Sequence, residues 1–239
     1  MPARNLEILA YEDTVLGPLC LRRRRLLSRP GTIVTEVTLN HAFLMSSYNT
    51  ESERALARIP LDWHSGARLN VLIGGLGLGY TAHAALSSPR VERAQVIEFL
   101  PQVIEWVEQD LTPISCELKE DERFTAIEGD IFRRLSEEPA ELFDLVLIDV
   151  DHSPDEPLSK SNDSFYSKHG LERAGRHLAP EGILGIWSHA QNSDFSTALD
   201  QVFREVRVEP ITYFNDLVDE NTTDWIFLAR GMHLSAESV

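Results

Sequence analysis

Cysteine, positive charge and long apolar runs are all scarce in this chain. Its 239 residues include two cysteines, Cys20 and Cys116, far apart and in no zinc-binding spacing. A reducing compartment is the simple reading. Lys and Arg number 22 against 38 Asp and Glu, a formal net charge of −16. That excess excludes broad electrostatic binding of nucleic acid, which needs clustered cations, and leaves room for cationic ligands. No stretch approaches the ~18 uninterrupted apolar residues of a membrane-spanning helix. The opening Met1–Ala10 segment lacks the apolar core of a signal peptide. The expectation is a cytoplasmic protein with no membrane and no nucleic-acid partner. No GxxxxGK[ST] run occurs, which disfavours a P-loop nucleotide. No internal repeat or low-complexity tract stands out.

What remains is ordinary globular material. Hydrophobic residues make up 43% and charged residues 25%, too apolar for disorder. The length suits one large domain, or a domain with a small appendage, and a core that needs no disulfide staples.

Residues 1–60 read as a small antiparallel β unit plus a helix. Leu6–Ala10, Gly17–Leu27 and Thr32–Leu44 are strand-like, broken by Gly17-Pro18 and Pro30-Gly31. Thr50 is an expected N-cap with Glu53 as capping-box partner, for a helix from Glu51 to about Arg58 that Pro60 closes. The run Arg22–Arg25 is expected to pair with acids rather than bind phosphate.

Residues 61–239 alternate apolar strands with helical patterns. Strands are expected at Leu69–Ile73, Ala94–Glu98, Phe124–Ile127, Phe143–Asp149, Ile183–Trp187, Val206–Tyr213 and Asp224–Ala229. Helices fall at Tyr80–Ser87, Pro101–Asp110, Ile131–Ser136, Phe165–Leu178 and Phe195–Phe203. This is an α/β pattern: a seven-stranded, mostly parallel sheet with helices on both faces and an antiparallel hairpin at one edge. The layout is that of a class I methyltransferase-like (Rossmann-like) domain.

Four motifs fall at the carboxyl ends of the strands, where open α/β sheets bind ligands. Gly74, Gly75, Gly77 and Gly79 form a glycine-rich loop between a strand and a helix. Such a loop lets a ligand approach the backbone and the free N–H groups of the helix, or it is only a tight turn. Glu98 ends the next strand, where an acid accepts hydrogen bonds from ribose hydroxyls; the plainer reading is a solvated acid. Asp130, after Gly129, either takes the amine of an adenine or caps the following helix. One adenosine-containing ligand accounts for all three. The fourth motif is the loop Asp149–Pro157, with four acids and His152. Carboxylates there suit a cationic amine and the removal of its proton. Asp149, ending the most apolar strand, and then Asp151 are the strongest candidates. An exposed acidic loop and a Mg²⁺ site are the other readings. Tyr166 opens the next helix within reach of the site, and His189 reads as a surface residue.

On these residues the chain resembles the spermidine synthase (polyamine aminopropyltransferase) family, its divergent bacterial members above all, over about Asp13–Ala229. The resemblance implies a small N-terminal β unit before a methyltransferase-like domain, a homodimer, and decarboxylated S-adenosylmethionine as co-substrate with no permanently bound cofactor and no metal. It implies that Gly74, Gly75, Gly77, Gly79, Glu98 and Asp130 hold the nucleoside. Asp149 corresponds to the family's proposed base, with Asp151 and Tyr166 steering a small cationic amine. Three departures accompany it. Gly77 stands where the family's glycine motif carries an Asp. The family's Asp-Ser-Ser-Asp loop is here Asp149-Val150-Asp151-His152. Its N-terminal Tyr-His-Glu signature is absent, with Tyr48, Glu51 and Glu53 as approximate stand-ins. Three readings follow: an aminopropyltransferase, an S-adenosylmethionine-dependent methyltransferase, and a non-catalytic adenosyl-binding homologue.

Overall fold

The computed structural model describes residues 5–156, 158, 162, 164–215, 217 and 219–233. Part of the opening segment (1–4) and Pro157 of the acidic loop lie outside the described residues.

The chain begins with a four-stranded antiparallel meander: β1 (Leu6–Thr14), β2 (Gly17–Arg25), β3 (Ile33–Leu39) and β4 (Ala42–Ser46), paired in sequence order. The single run expected over Thr32–Leu44 is split by a tight turn, where Asn40 and His41 both adopt positive φ. Arg22 and Arg24 do pair with an acid: both guanidiniums sit on Glu36 of the neighbouring strand.

Helix α1 (Glu51–Trp63) corrects two expectations. It does not end before Pro60 but runs through it. The proline forfeits one backbone hydrogen bond, yet Leu56, Pro60 and Leu61 are buried, and the His64 N–H closes the last turn on the Pro60 carbonyl at 2.8 Å. There is also no capping box. Thr50 makes no side-chain cap bond, and its own N–H is taken by the Glu51 carboxylate at 2.9 Å. The Glu53 side chain turns inward instead.

The larger unit holds β5 (Leu69–Gly74), α2 (Tyr80–Leu86), β6 (Val91–Glu98), α3 (Pro101–Glu108), α4 (Ser115–Glu120), β7 (Phe124–Glu128), α5 (Ile131–Ser136) and β8 (Phe143–Ile148). After it come α6 (Lys168–Gly175), β9 (Leu178–Ser188), α7 (Ser193–Asp200), β10 (Phe203–Asn215) and β11 (Glu220–Met232). The sheet order is β10-β11-β9-β8-β5-β6-β7, with β9 through β7 parallel and β11 antiparallel to both neighbours. β5 and β8 are buried on both faces, as the continuous apolar runs require. One apolar layer lies under α1, α2 and α3, the other under α5, α6 and α7.

Helix α6 is shorter than the expected Phe165–Leu178. Ser167 caps it by accepting the Gly170 N–H at 3.2 Å, so Phe165 and Tyr166 precede it. Leu178 already belongs to β9, and Pro180 to Gly182 form a bulge in that strand with Glu181 at positive φ. No described helix is long and apolar enough to cross a membrane.

Parallel register sets the site. Gly74 lies beside Ile97 on one side and Ile148 on the other. The loops leaving β5, β6 and β8 therefore emerge together at the point where strand order reverses.

Candidate active site

The glycine loop is held close to the end of β8. Gly75 has φ +89, and a Cβ there would collide with the Asp149 carbonyl oxygen, so only glycine serves. Glu98 secures the loop from the other side. Its buried carboxylate accepts the Leu76 N–H at 2.7 Å and the Leu100 N–H at 2.8 Å. Burial pushes this carboxyl up, against the backbone N–H groups that favour its charge. Asp130 performs the plainer of its two expected tasks: it caps α5, accepting the Phe132 and Arg133 N–H groups at 2.9 and 3.2 Å.

Two cavities open along this edge. The first, about 190 Å³, is largely apolar, with Glu98, Gly129 and Asp130 among its lining residues and with Leu19 and Val37 of the small sheet as part of its wall. Capping therefore leaves Asp130 at the wall of a chamber. The second, about 470 Å³, is more polar than the first, with Glu53, Asp149, Asp151, Asp224, Tyr213 and Trp187 among its lining residues. Gly77, Met45, Asp149 and Val150 line both. The shared wall makes Asp149 the hinge between an apolar chamber and an acidic one.

Asp149 Oδ2 accepts the Thr81 hydroxyl at 2.7 Å, and the same hydroxyl lies 3.2 Å from the Glu53 carbonyl oxygen. Burial raises the Asp149 carboxyl to about 6, and nearby Asp224 adds to the rise. Glu53 is raised to about 8, by burial first and then by Asp149. Asp224 is 5% exposed, accepts the Tyr213 hydroxyl at 3.1 Å, and is raised by burial. Three carboxyls sharing one poorly solvated chamber cannot all ionise cheaply; a cation among them restores their charge.

Asp151 is buried and fully engaged. It accepts from the Leu158 N–H at 2.7 Å, the Asn162 amide at 2.9 Å and the Tyr166 hydroxyl at 2.8 Å. Tyr166 stands behind Asp151, packed against Phe165 and Phe195, and lines neither cavity. Of the residues expected at the site, Gly75, Gly77, Gly79, Glu98, Asp130, Asp149 and Asp151 line the two cavities; Gly74 ends β5 against Ile131 and lines neither. Tyr166 joins them only through Asp151. No group of three or more His, Cys, Asp or Glu suited to hold a metal occurs among the described residues.

Sequence reasoning did not assign Asp224, Tyr213 or Trp187 to the site, and treated Glu53 chiefly as a cap. A signal was present for Asp224: it adjoins the apolar run Trp225–Ala229, as Asp149 adjoins its own. Because β11 is antiparallel to β9, with Trp225 beside Ser188, the start of its apolar run meets the carboxyl end of β9.

Comparison with known proteins bears on the family and the fold. The sequence profile of the Spermine/spermidine synthase domain matches residues 50–214. Polyamine aminopropyltransferase 2 of Streptomyces coelicolor is 32% identical over 123 residues, 51% of this chain and 22% of that protein. The polyamine aminopropyltransferase of Caldicellulosiruptor bescii is 32% identical over 111 residues, 46% of this chain and 39% of that protein. The chain thus spans well under half the length of the curated relatives it matches. Among solved structures, spermidine synthase in complex with the transition-state analogue AdoDATO has a TM-score of 0.71 at 17% identity, covering 93% of this chain and 71% of that one. Spermidine synthase from Thermotoga maritima gives the same figures. These likenesses bear on the fold.

Proposed function

Since the chain belongs to the Spermine/spermidine synthase domain family, we propose that it is an aminopropyltransferase, moving the aminopropyl group of decarboxylated S-adenosylmethionine onto the nitrogen of a small amine. One observation carries this reading: Asp149 lines both an apolar chamber suited to a nucleoside and an acidic chamber suited to an ammonium.

In this reading the first chamber takes the adenosine, with Glu98 toward the ribose and Asp130 toward the adenine. The sulfonium then lies at the shared wall. An alkylammonium has no lone pair to attack with until it loses a proton. Asp149, with its carboxyl near 6, is ionised at neutral pH and accepts that proton. The freed lone pair attacks the methylene beside sulfur. A carbon–nitrogen bond forms, the carbon–sulfur bond breaks, and sulfur leaves with its electron pair as neutral methylthioadenosine. Positioning and a negative wall beside the developing ammonium supply most of the rate. Asp151 shapes the acidic chamber, and Tyr166 fixes Asp151.

Methyl transfer from intact S-adenosylmethionine is the second reading, and Gly77 favours it. This residue has φ +52, and a Cβ there would sit 3.0 Å from the Met45 sulfur, so an acid at this place would need left-handed backbone and a shift of Met45; the loop as it stands offers no carboxylate for the donor's ammonium. A non-catalytic adenosyl-binding role is the third. A homodimer and a cytoplasmic location belong to the proposal; exposed Leu6, Ile8 and Tyr11 on edge strand β1 offer an apolar contact for a second copy.

The test supplies decarboxylated or intact S-adenosylmethionine with a panel of amines. Amine-dependent methylthioadenosine is the expected product. S-adenosylhomocysteine would establish methyl transfer instead, and neither product would leave only nucleoside binding.

A further inference from the structure

Resting on the aminopropyltransferase reading and deepening it, we propose that the acceptor carries a carboxylate as well as its amine, rather than being a simple diamine.

The second cavity has two kinds of wall. Glu53 comes from α1, and Asp149 and Asp224 from the larger unit; Arg22, Arg24 and Glu36 come from the small sheet. Arg22 and Glu36 are cross-strand partners, and Arg24, two residues on, projects from the same face of β2. Arg22 Nε and Nη2 each lie 3.0 Å from Glu36 Oε2. Arg24 Nε and Nη2 lie 3.0 and 2.6 Å from Oε1. Glu36 is 3% exposed, and the two guanidiniums hold its carboxyl below the ordinary range despite burial. One carboxylate between two guanidiniums leaves a surplus positive charge. The Nη1 group of each arginine makes no hydrogen bond among the described residues, so donors remain for a second anion.

The cavity is therefore electrically divided. A diamine with one nitrogen among the acids brings its other ammonium toward like charge. An amino carboxylate places an ammonium on one wall and an anion on guanidinium forks that match carboxylate geometry. The transfer step is unaltered: the amine nitrogen loses a proton to Asp149 and bonds to the methylene carbon, and sulfur departs with the electron pair. The carboxylate takes no part in the bonds made or broken.

The experiment measures methylthioadenosine release from decarboxylated S-adenosylmethionine with length-matched acceptors: diaminobutane against aminobutanoate, and diaminopentane against aminopentanoate. The amino carboxylate is expected to exceed its diamine by on the order of tenfold or more in kcat/KM. Arg24→Gln should raise KM for the amino carboxylate about tenfold and leave the diamine's KM equal or lower, while Arg24→Lys keeps part of the preference. If Arg24→Gln does not fold by circular dichroism, the wild-type comparison decides. A diamine preferred by the wild-type protein overturns this inference and leaves the aminopropyltransferase reading standing. An amino-carboxylate preference that survives in folded Arg24→Gln also overturns it, since the arginines would not be its source. Release with no amine of either kind removes both.

Discussion

The Thr81 hydroxyl donates to Asp149 Oδ2 at 2.7 Å, tying the first turn of α2 to the end of β8. This bond favours the ionised carboxylate, while burial and Asp224 oppose it. Asp149→Asn should reduce turnover by about a thousandfold, the scale of a lost general base, while methylthioadenosine still binds. Activity should rise with pH through about 6 as Asp149 ionises. Thr81→Val should move that limb upward in pH. A pH–rate profile of kcat/KM checks both, and full activity of Asp149→Asn at neutral pH would exclude it as the base.

Glu53 gives stability an unusual pH dependence. Its carboxyl keeps a proton in the folded chain up to about 8, against an ordinary value of 4.5. Across that window the folded state binds more protons than the unfolded, so this contribution is full at low pH and lost as pH rises. Glu53→Gln should stabilise the protein at pH ~9 by about 2 kcal/mol, discounted for partial exposure, and by little at pH ~4. Urea unfolding at the two values measures it; an equal effect at both would deny the shift.

The same residue predicts proton release. An ammonium entering the chamber favours ionised Glu53, so acceptor binding at pH ~7 should expel a proton. Calorimetry in buffers of different ionisation enthalpy reads the number released. Binding enthalpies that do not vary with buffer would mean that Glu53 is already charged.

Glu98 has two duties, bracing the loop through Leu76 and facing the apolar chamber. Glu98→Ala should weaken methylthioadenosine binding roughly 10–100-fold, the scale of lost hydrogen bonds to a charged group. Unchanged affinity by calorimetry would remove it from the nucleoside site.

Tyr166 acts through Asp151. Tyr166→Phe should cost about 1–2 kcal/mol in stability by leaving a buried carboxylate one donor short. It should also raise acceptor KM more than it lowers kcat. Unfolding and steady-state kinetics that both match the wild type would end its positioning role.

Much of the fold was legible because β5 and β8 are buried on both faces and write that burial as unbroken apolar runs. Local signals misled where tertiary contacts outbid them. Thr50 and Glu53 have capping-box spacing, but an inward-facing acid served the chamber and Glu51 took the cap. Pro60 reads as a stop, yet a buried face carries α1 past it. The meeting of the glycine loop, Glu98, Asp130 and Asp149 at one sheet edge was legible as spacing after successive strands. The acidic chamber was not, because Glu53 and Asp224 come from opposite ends of the chain and meet only through the antiparallel placement of β11. The resemblance to polyamine aminopropyltransferases supplied roles for Asp149 and Asp151, but nothing in it marked Arg22 and Arg24 as a cavity wall.

That placement of β11 sets an order on assembly. A chain leaving the ribosome can bring the glycine loop, Glu98 and Asp149 together along one rim while β9 still offers a raw flank. Only when the last described strand slots between β9 and β10 is that sticky border covered, and the same event delivers Asp224. Until then the growing polypeptide holds half a workshop and an open seam, so loss of this hairpin would surface as clumping before it surfaced as lost catalysis.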